Sequence, residues 1–230
     1  MNLYASTSQR HVLFCIAMLA ALPNVAEAVR ASRFDLGMAP WQEVRIKADL
    51  QPNTFTLRNW DGVPALEVKS ATSISLLARP LEVDLQRTPV RCWWIDAPLK
   101  SADVTQRSGN DYAARLYMSL ALPESEKSPG LRAQLRIPRT IWGPSVPDAA
   151  VNYVLDNRQP ADTERPNAYT DRPAMVVLLS SAADTGAWVQ ERRNVGRDVT
   201  WFWGTLARPM QLAVTADTNN AGESARAGFA

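Results

Sequence analysis

From Trp41 onward the chain strings together short apolar or alternating runs, broken by Pro, Gly, Asn and Asp about every ten residues. The runs at 42–48, 54–59, 64–70, 73–79, 80–86, 90–96, 111–122, 131–138, 151–156, 174–180, 186–193, 210–216 and 223–229 predict strands. Many short strands with regular turn signals predict an all-β fold, a single β-sandwich. Residues 175–179 (MVVLL) are apolar at every position, which predicts a central strand covered on both faces. One short helix is predicted near residues 195–203. Asn194 can cap it, Val195, Val199, Phe202 and Trp203 form its apolar stripe, and Gly204 can end it. Residues 157–173 are polar with three prolines and read as a surface loop of the kind that carries binding groups.

Residues 1–28 follow a different pattern. A polar start carrying Arg10 leads into the apolar run 12–22, then Pro23, Asn24 and the small-residue pattern Ala26-Glu27-Ala28. That is the layout of a secretory signal peptide cleaved after Ala28, leaving 29–230 as one exported domain, periplasmic or secreted. The apolar run is too short for a membrane span. Cys15 follows bulky Phe14 early in the run, where a lipidation cysteine is not expected.

The composition narrows the chemistry. With 230 residues, 46% hydrophobic and 21% charged, the chain is globular and long enough to bury a core. A net charge of +2 argues against nucleic acid or an anionic membrane as partner. The single histidine, His11, lies in the leader, and Cys92 is the one cysteine outside it. The exported chain therefore lacks the residues for a Ser-His-Asp or Cys-His site, or for a usual zinc site. No Gly-rich phosphate loop is present. Paired carboxylates, tyrosine or Lys/Arg proton chemistry and an all-oxygen calcium site stay open. Cys92, with no partner for an internal disulfide, reads as a core residue.

Three patterns carry candidate chemistry. In 110–120 (NDYAARLYMSL), strict alternation places Asp111, Ala113, Arg115, Tyr117 and Ser119 on one strand face, and Tyr112, Ala114, Leu116 and Met118 on the other. An acid, a guanidinium and a phenol on one face resemble the lining of a sugar-binding groove; a solvated face with a cross-strand ion pair gives the same pattern. Eight tryptophans fall outside the leader, most of them expected in the core. Trp93 and Trp94 are adjacent and must face opposite ways, so Trp93 is a candidate for stacking on a sugar ring. Residues 213–223 (AVTADTNNAGE) bring Asp217, Asn219, Asn220 and Glu223 around a glycine, which suits calcium but equally suits a tight hairpin. Arg outnumbers Lys 21 to 4, which fits bidentate or stacked recognition, or simply a biased genome.

Several of these stretches, 96–118 (DAPLKSADVTQRSGNDYAARLYM), 151–157 (VNYVLDN), 167–172 (NAYTDR), 188–195 (WVQERRNV) and 215–227 (TADTNNAGESARA), resemble a bacterial family of exported proteins known as domain of unknown function 3047. The resemblance implies a single β-sandwich similar to sugar-binding jelly rolls, and it marks Asp111, Arg115, Asn167, Tyr169, Asp171, Arg172, Glu191, Arg193, Asn194, Asp217 and Asn219 as pattern positions without assigning them chemistry. The sequence departs from the family pattern at Asn110, where an acid is common, and at Ala221, where Thr is usual. It also ends at Gly228-Phe229-Ala230, where relatives continue with a further strand end.

The leading expectation is a non-catalytic glycan-binding or polar-ligand-binding sandwich of the cell envelope. Its candidate ligand-binding residues are Asp111, Arg115, Tyr117, Tyr169, Asp171, Arg172 and Trp93. Calcium, held by Asp217, Asn219 and Glu223, is the one cofactor considered. The alternatives are a structural or partner-binding envelope protein, and a His-independent polysaccharide lyase or hydrolase. In the latter, Tyr117 or Tyr169 would move the proton and Arg115 or Arg172 would neutralise a uronate.

Overall fold

A computed structural model describes residues 34–46, 48–60, 62–81, 93–142, 146–169, 173–180, 185–191 and 193–230. The expected leader, Cys92, Asp171 and Arg172 lie outside the described residues. In chain order the strands are β1 (Gln42–Val44), β2 (Thr54–Trp60), β3 (Val63–Ala71), β4 (Leu76–Pro80), β5 (Trp93–Ile95) and β6 (Tyr112–Ala121), then β7 (Ala149–Asp156), β8 (Glu164–Pro166), β9 (Pro173–Ser180), β10 (Trp188–Val189), β11 (Arg208–Asp217) and β12 (Ser224–Phe229). The helices are α1 (Pro129–Trp142), between β6 and β7, and α2 (Val195–Trp203), between β10 and β11.

The strands form two sheets, one of seven in the order β1-β4-β11-β6-β7-β9-β8 and one of five in the order β10-β5-β12-β3-β2. The fold is the predicted all-β, sandwich-like class. Among the described residues every strand pairing is antiparallel except β7 with β9, which is parallel. Leu66, Val68, Ile95, Ala227 and Phe229 of the smaller sheet, and Leu116, Met118, Leu120, Val151, Tyr153, Leu212 and Val214 of the larger, belong to one buried core. Strand β9 is covered on both faces, as its sequence predicts. Val176 and Leu178 belong to the main core, and Met175 and Val177 to a small second core.

Helix α2 ends where its sequence says it should. The Asn194 side chain accepts from the Arg197 amide at 3.0 Å, and Gly204, at φ 70°, donates its amide to Thr200 O. By contrast, 131–138 is not a strand but the middle of α1. The alternation Leu131, Ala133, Leu135, Ile137 imitates a strand, yet Ala133 and Ile137 are exposed while Leu135 is buried and Leu131 partly so. The i,i+4 pair is the real apolar stripe, and Ser128 Oγ starts the helix by accepting from the Leu131 amide at 3.1 Å. The supposed loop 157–173 contains β8, whose Arg165 pairs with Met175. The expected strand 80–86 runs outside the described residues after β4 ends at Pro80, and 186–193 shortens to β10.

The chain changes sheets between β3 and β4 and again between β11 and β12, and a buried polar corner locks the two crossings together. Asn53 Nδ2 lies within hydrogen-bond reach of Ser75 O (3.0 Å), Thr215 Oγ1 (3.1 Å) and Ala216 O (2.7 Å), while its Oδ1 accepts from Ser73 Oγ at 2.7 Å. Thr218 donates its amide to Ser73 O, and its hydroxyl meets that of Ser70 at 2.8 Å. Removing Asn53 strands several of these groups away from water. Asn53→Ala should therefore destabilise the fold by about 2–4 kcal/mol, read as a lowered urea midpoint with an unchanged slope.

Candidate functional site

The outer face of the seven-stranded sheet is half closed. Residues 102–110 double back on themselves, with Asp103 and Gly109 bridged, and Val104 packs into the second core with Tyr112, Val154, Met175 and Val177. The bridge needs glycine at 109, because a Cβ there would stand 2.9 Å from the Asp103 backbone nitrogen. Beside this cover, over β6 and β11, the sheet stays open as a cleft of about 490 Å³. Arg115, Tyr117 and Ser119 of β6, Asn152 of β7 and Gln211 and Asp217 of β11 line its floor; Ile46, Ile74, Leu76 and Pro147 supply apolar walls. Asn110, Asn167, Tyr169, Asn219 and Asn220 complete its polar rim.

Strict alternation misplaces two residues here, and a β-bulge is the reason. Thr215 pairs with Arg115 but Asp217 pairs with Tyr112, so three positions of β6 are matched by two of β11. Ala113 and Ala114 both turn into the main core, which carries Tyr112 over to the Arg115 side. Asp111, expected beside Arg115, is instead buried against the β11–β12 turn. Its carboxylate accepts from the Asn220 amide (3.0 Å), Asn220 Nδ2 (3.0 Å) and the Ala221 amide (2.6 Å). Its work is to hold that turn, and with it Asn219 and Asn220, at the cleft edge.

Arg115 and Tyr117 lie where the sequence puts them, on the floor. The Arg115 guanidinium stands over the Tyr112 ring, 5.1 Å from its centroid, and 3.8 Å from Asp217 Oδ2. Arg115 Nε and Asn152 Oδ1 are buried with no hydrogen-bond partner in the protein. Asn152 itself is 2% exposed, fixed by its Nδ2 donating to Ala174 O at 3.2 Å. Tyr112 is fully buried, and burial pushes its phenol far above the usual range, so it stays neutral. Its hydroxyl accepts from Asn167 Nδ2 and contacts Met175 Sδ.

Tyr169 sits on the rim, 46% exposed. Its hydroxyl donates to Arg107 O at 2.8 Å, and the Arg107 guanidinium faces its ring at 5.9 Å. Trp93 belongs to β5, in the other sheet, paired with Phe229 and Val189, and so does not share the Arg115 floor. Of the three residues considered for calcium, Asp217 and Asn219 line the cleft. Glu223 instead ties down residues 100–101, accepting from the Lys100 amide (2.9 Å), the Ser101 amide (2.8 Å) and the Ser101 hydroxyl. Among the described residues no three His, Cys, Asp or Glu side chains gather as metal ligands.

Asn152 escaped the sequence reading, although a signal was there: it is the one polar residue within the apolar run 149–155. Arginine also serves elsewhere, in sites that are closed. On the smaller sheet Arg58 and Arg226 flank Trp60 at 4.9 and 4.4 Å and both donate to Glu67. Arg193 bridges Asp162, Glu164 and Asp198, the last of which accepts from the Tyr153 hydroxyl at 2.9 Å. The charged groups of these clusters have their partners; Arg115 Nε and Asn152 Oδ1 on the cleft floor do not.

A two-sheet β-protein with an open polar cleft on its larger sheet is the class these observations define. The chain belongs to the family described as protein of unknown function (DUF3047), whose model matches residues 39–230. No curated protein matches the chain. No helix among the described residues is long and apolar enough to cross a membrane.

Asp217 gives the site a pH signature. Burial pushes its carboxyl up to about 7; Arg115 opposes the rise and Asp111 adds to it. The unfolded chain releases this proton near 3.8, while the folded chain keeps it until about 7. The stabilisation is thus complete below the lower value and is lost as pH rises through the upper one, an effect on the order of a few kcal/mol. Asp217→Asn should remove this slope, leaving the variant more stable than the parent above neutral pH in urea unfolding across a pH series.

Proposed function

We propose that this protein is a non-catalytic module of the cell envelope that binds a glycan, or a polar ring ligand of similar shape, in the cleft over β6 and β11. The observation that carries the reading is the pair of buried, unpartnered groups at its floor, Arg115 Nε and Asn152 Oδ1. A polar atom removed from water without a partner costs about 1–3 kcal/mol, and a ligand that supplies the partner recovers that cost. One atom is a donor and the other an acceptor, the two demands that sugar hydroxyls meet together. The mixed lining suits the same ligand: Ile46, Ile74, Leu76 and Pro147 offer apolar walls to C–H faces, while the floor and rim offer amides, phenols and a guanidinium. The secretory pattern of residues 1–28 supports the envelope as its place of work.

Thermal unfolding against a panel of envelope and plant glycans should raise the midpoint with one glycan class. Asn152→Ala should weaken that glycan's binding by about 1–3 kcal/mol in calorimetry. An unsaturated, ultraviolet-absorbing product would overturn the non-catalytic reading in favour of a lyase. No shift with any glycan would overturn glycan binding itself and favour a structural or partner-binding envelope protein.

A further inference from the structure

We propose that the glycan taken by this cleft is acidic, its carboxylate lying against the Arg115 guanidinium, and that Asp217 takes up a proton as it binds. The inference rests on the glycan-binding reading above and names the substrate class of the same site.

Among the described lining residues Arg115 is the one cation and Asp217 the one carboxylic acid. The closest approach between them is 3.8 Å, an ion pair at the outer limit of contact with no hydrogen bond in it. Arg115 Nε has no partner, and one face of the cation is already spent on the Tyr112 ring at 5.1 Å. A planar, buried guanidinium with donors left over is the group that carboxylates engage in a bidentate fork. A neutral sugar hydroxyl satisfies one donor at a time and leaves the charge unbalanced.

Asp217 makes the arrangement selective. Arg115 and Tyr112 face it from β6, Asp111 stands beside it from the segment before β6, and the Asn219 amide follows it in the chain. Asp111 accepts from three N–H donors of residues 220–221, and its carboxylate beside Asp217 adds to the upward push that burial gives the Asp217 carboxyl. With Asp217 neutral, Arg115 is the one charged group among the described lining residues. With Asp217 ionised, that charge is cancelled and an incoming carboxylate is repelled. A carboxylate seated on Arg115 therefore draws a proton from solvent onto Asp217. That proton removes the competing negative charge beside the guanidinium, by linkage between the two charges.

The test compares an oligogalacturonate trimer with its fully methyl-esterified form, which loses the carboxylate charge and gains a methyl group, by titration calorimetry on the full chain. A glucuronate and a mannuronate trimer are run beside them, because the inference fixes the acid and not the sugar. Measured in two buffers of different ionisation enthalpy, the acid trimer that binds should carry about half a proton into the complex near neutral pH, and its affinity should fall about tenfold between pH 6 and 8. The ester should bind more weakly and show neither effect. Asp217→Asn should abolish proton uptake and flatten the pH profile, while Arg115→Gln should erase the preference for acid over ester. The buffer comparison needs no variant, so it decides the matter even if a substitution unfolds the chain. Equal affinity for acid and ester without proton uptake would overturn this inference and leave glycan binding standing. Failure of every trimer and of every neutral glycan to bind would overturn both.

Discussion

The buried corner around Asn53 is the constraint on which the rest of the structure hangs. Three connections between the sheets meet there, β1 to β2, β3 to β4 and β11 to β12, and backbone that leaves a sheet loses its ladder partners. Asn53, Ser70, Ser73, Ser75, Thr215 and Thr218 replace those partners with side-chain hydrogen bonds, all away from solvent. Because the corner fixes where β11 ends, it also fixes where Asp217 stands and where the 218–222 turn begins. Asp111 then clamps that turn from the other side. The position of one acid relative to Arg115 thus depends on a network that touches neither residue's charge.

Paired charged clusters hold the scaffold of this molecule together. Asp148 shows the scaffold pattern: one carboxylate accepts from the Leu122 amide, Lys127 and Arg139, joining the entry of β7 to α1 and to the end of β6. The Arg193–Asp198–Tyr153 cluster does the same for α2, and Glu67 with its two arginines for the outer face of the smaller sheet. Each pairs its charges and so holds elements together. On the cleft floor the balance reverses. A strand interior that is otherwise apolar carries Asn152 with an open acceptor, and a bulged strand carries Arg115 with an open donor. These two groups lie beneath the cleft, where a bound ligand can supply the missing partners.

Much of this was legible in the sequence because it depends on short-range periodicity and local caps. The period-two runs marked most strands, the fully apolar 175–179 marked a strand buried on both faces, and Asn194 and Gly204 marked the ends of α2 to the residue. Where local pattern is ambiguous the reading failed. Leu131, Ala133, Leu135 and Ile137 fit a strand by alternation and a helix by their spacing of four, and only packing chose the helix. Arg115 and Tyr117 were identified as one face of β6, yet Asp111 was placed with them because a bulge leaves no mark in the alternation it interrupts.

What the sequence determined alone is therefore most of the strands and the short helix α2, the lack of histidine after His11, and the residue types from which any site must be built. Tertiary structure decided their assembly. It turned Tyr112 to the cleft side and Asp111 away from it, set Arg115 beside Asp217 across the β6–β11 pair, brought Asn152 under the same opening from β7, and left Trp93 on the other sheet. The physical reason is that side-chain direction along one strand follows from backbone geometry over a few residues, whereas neighbours across strands follow from strand order, register and bulges. Those are fixed by contacts between segments far apart in the chain, and no local pattern encodes them.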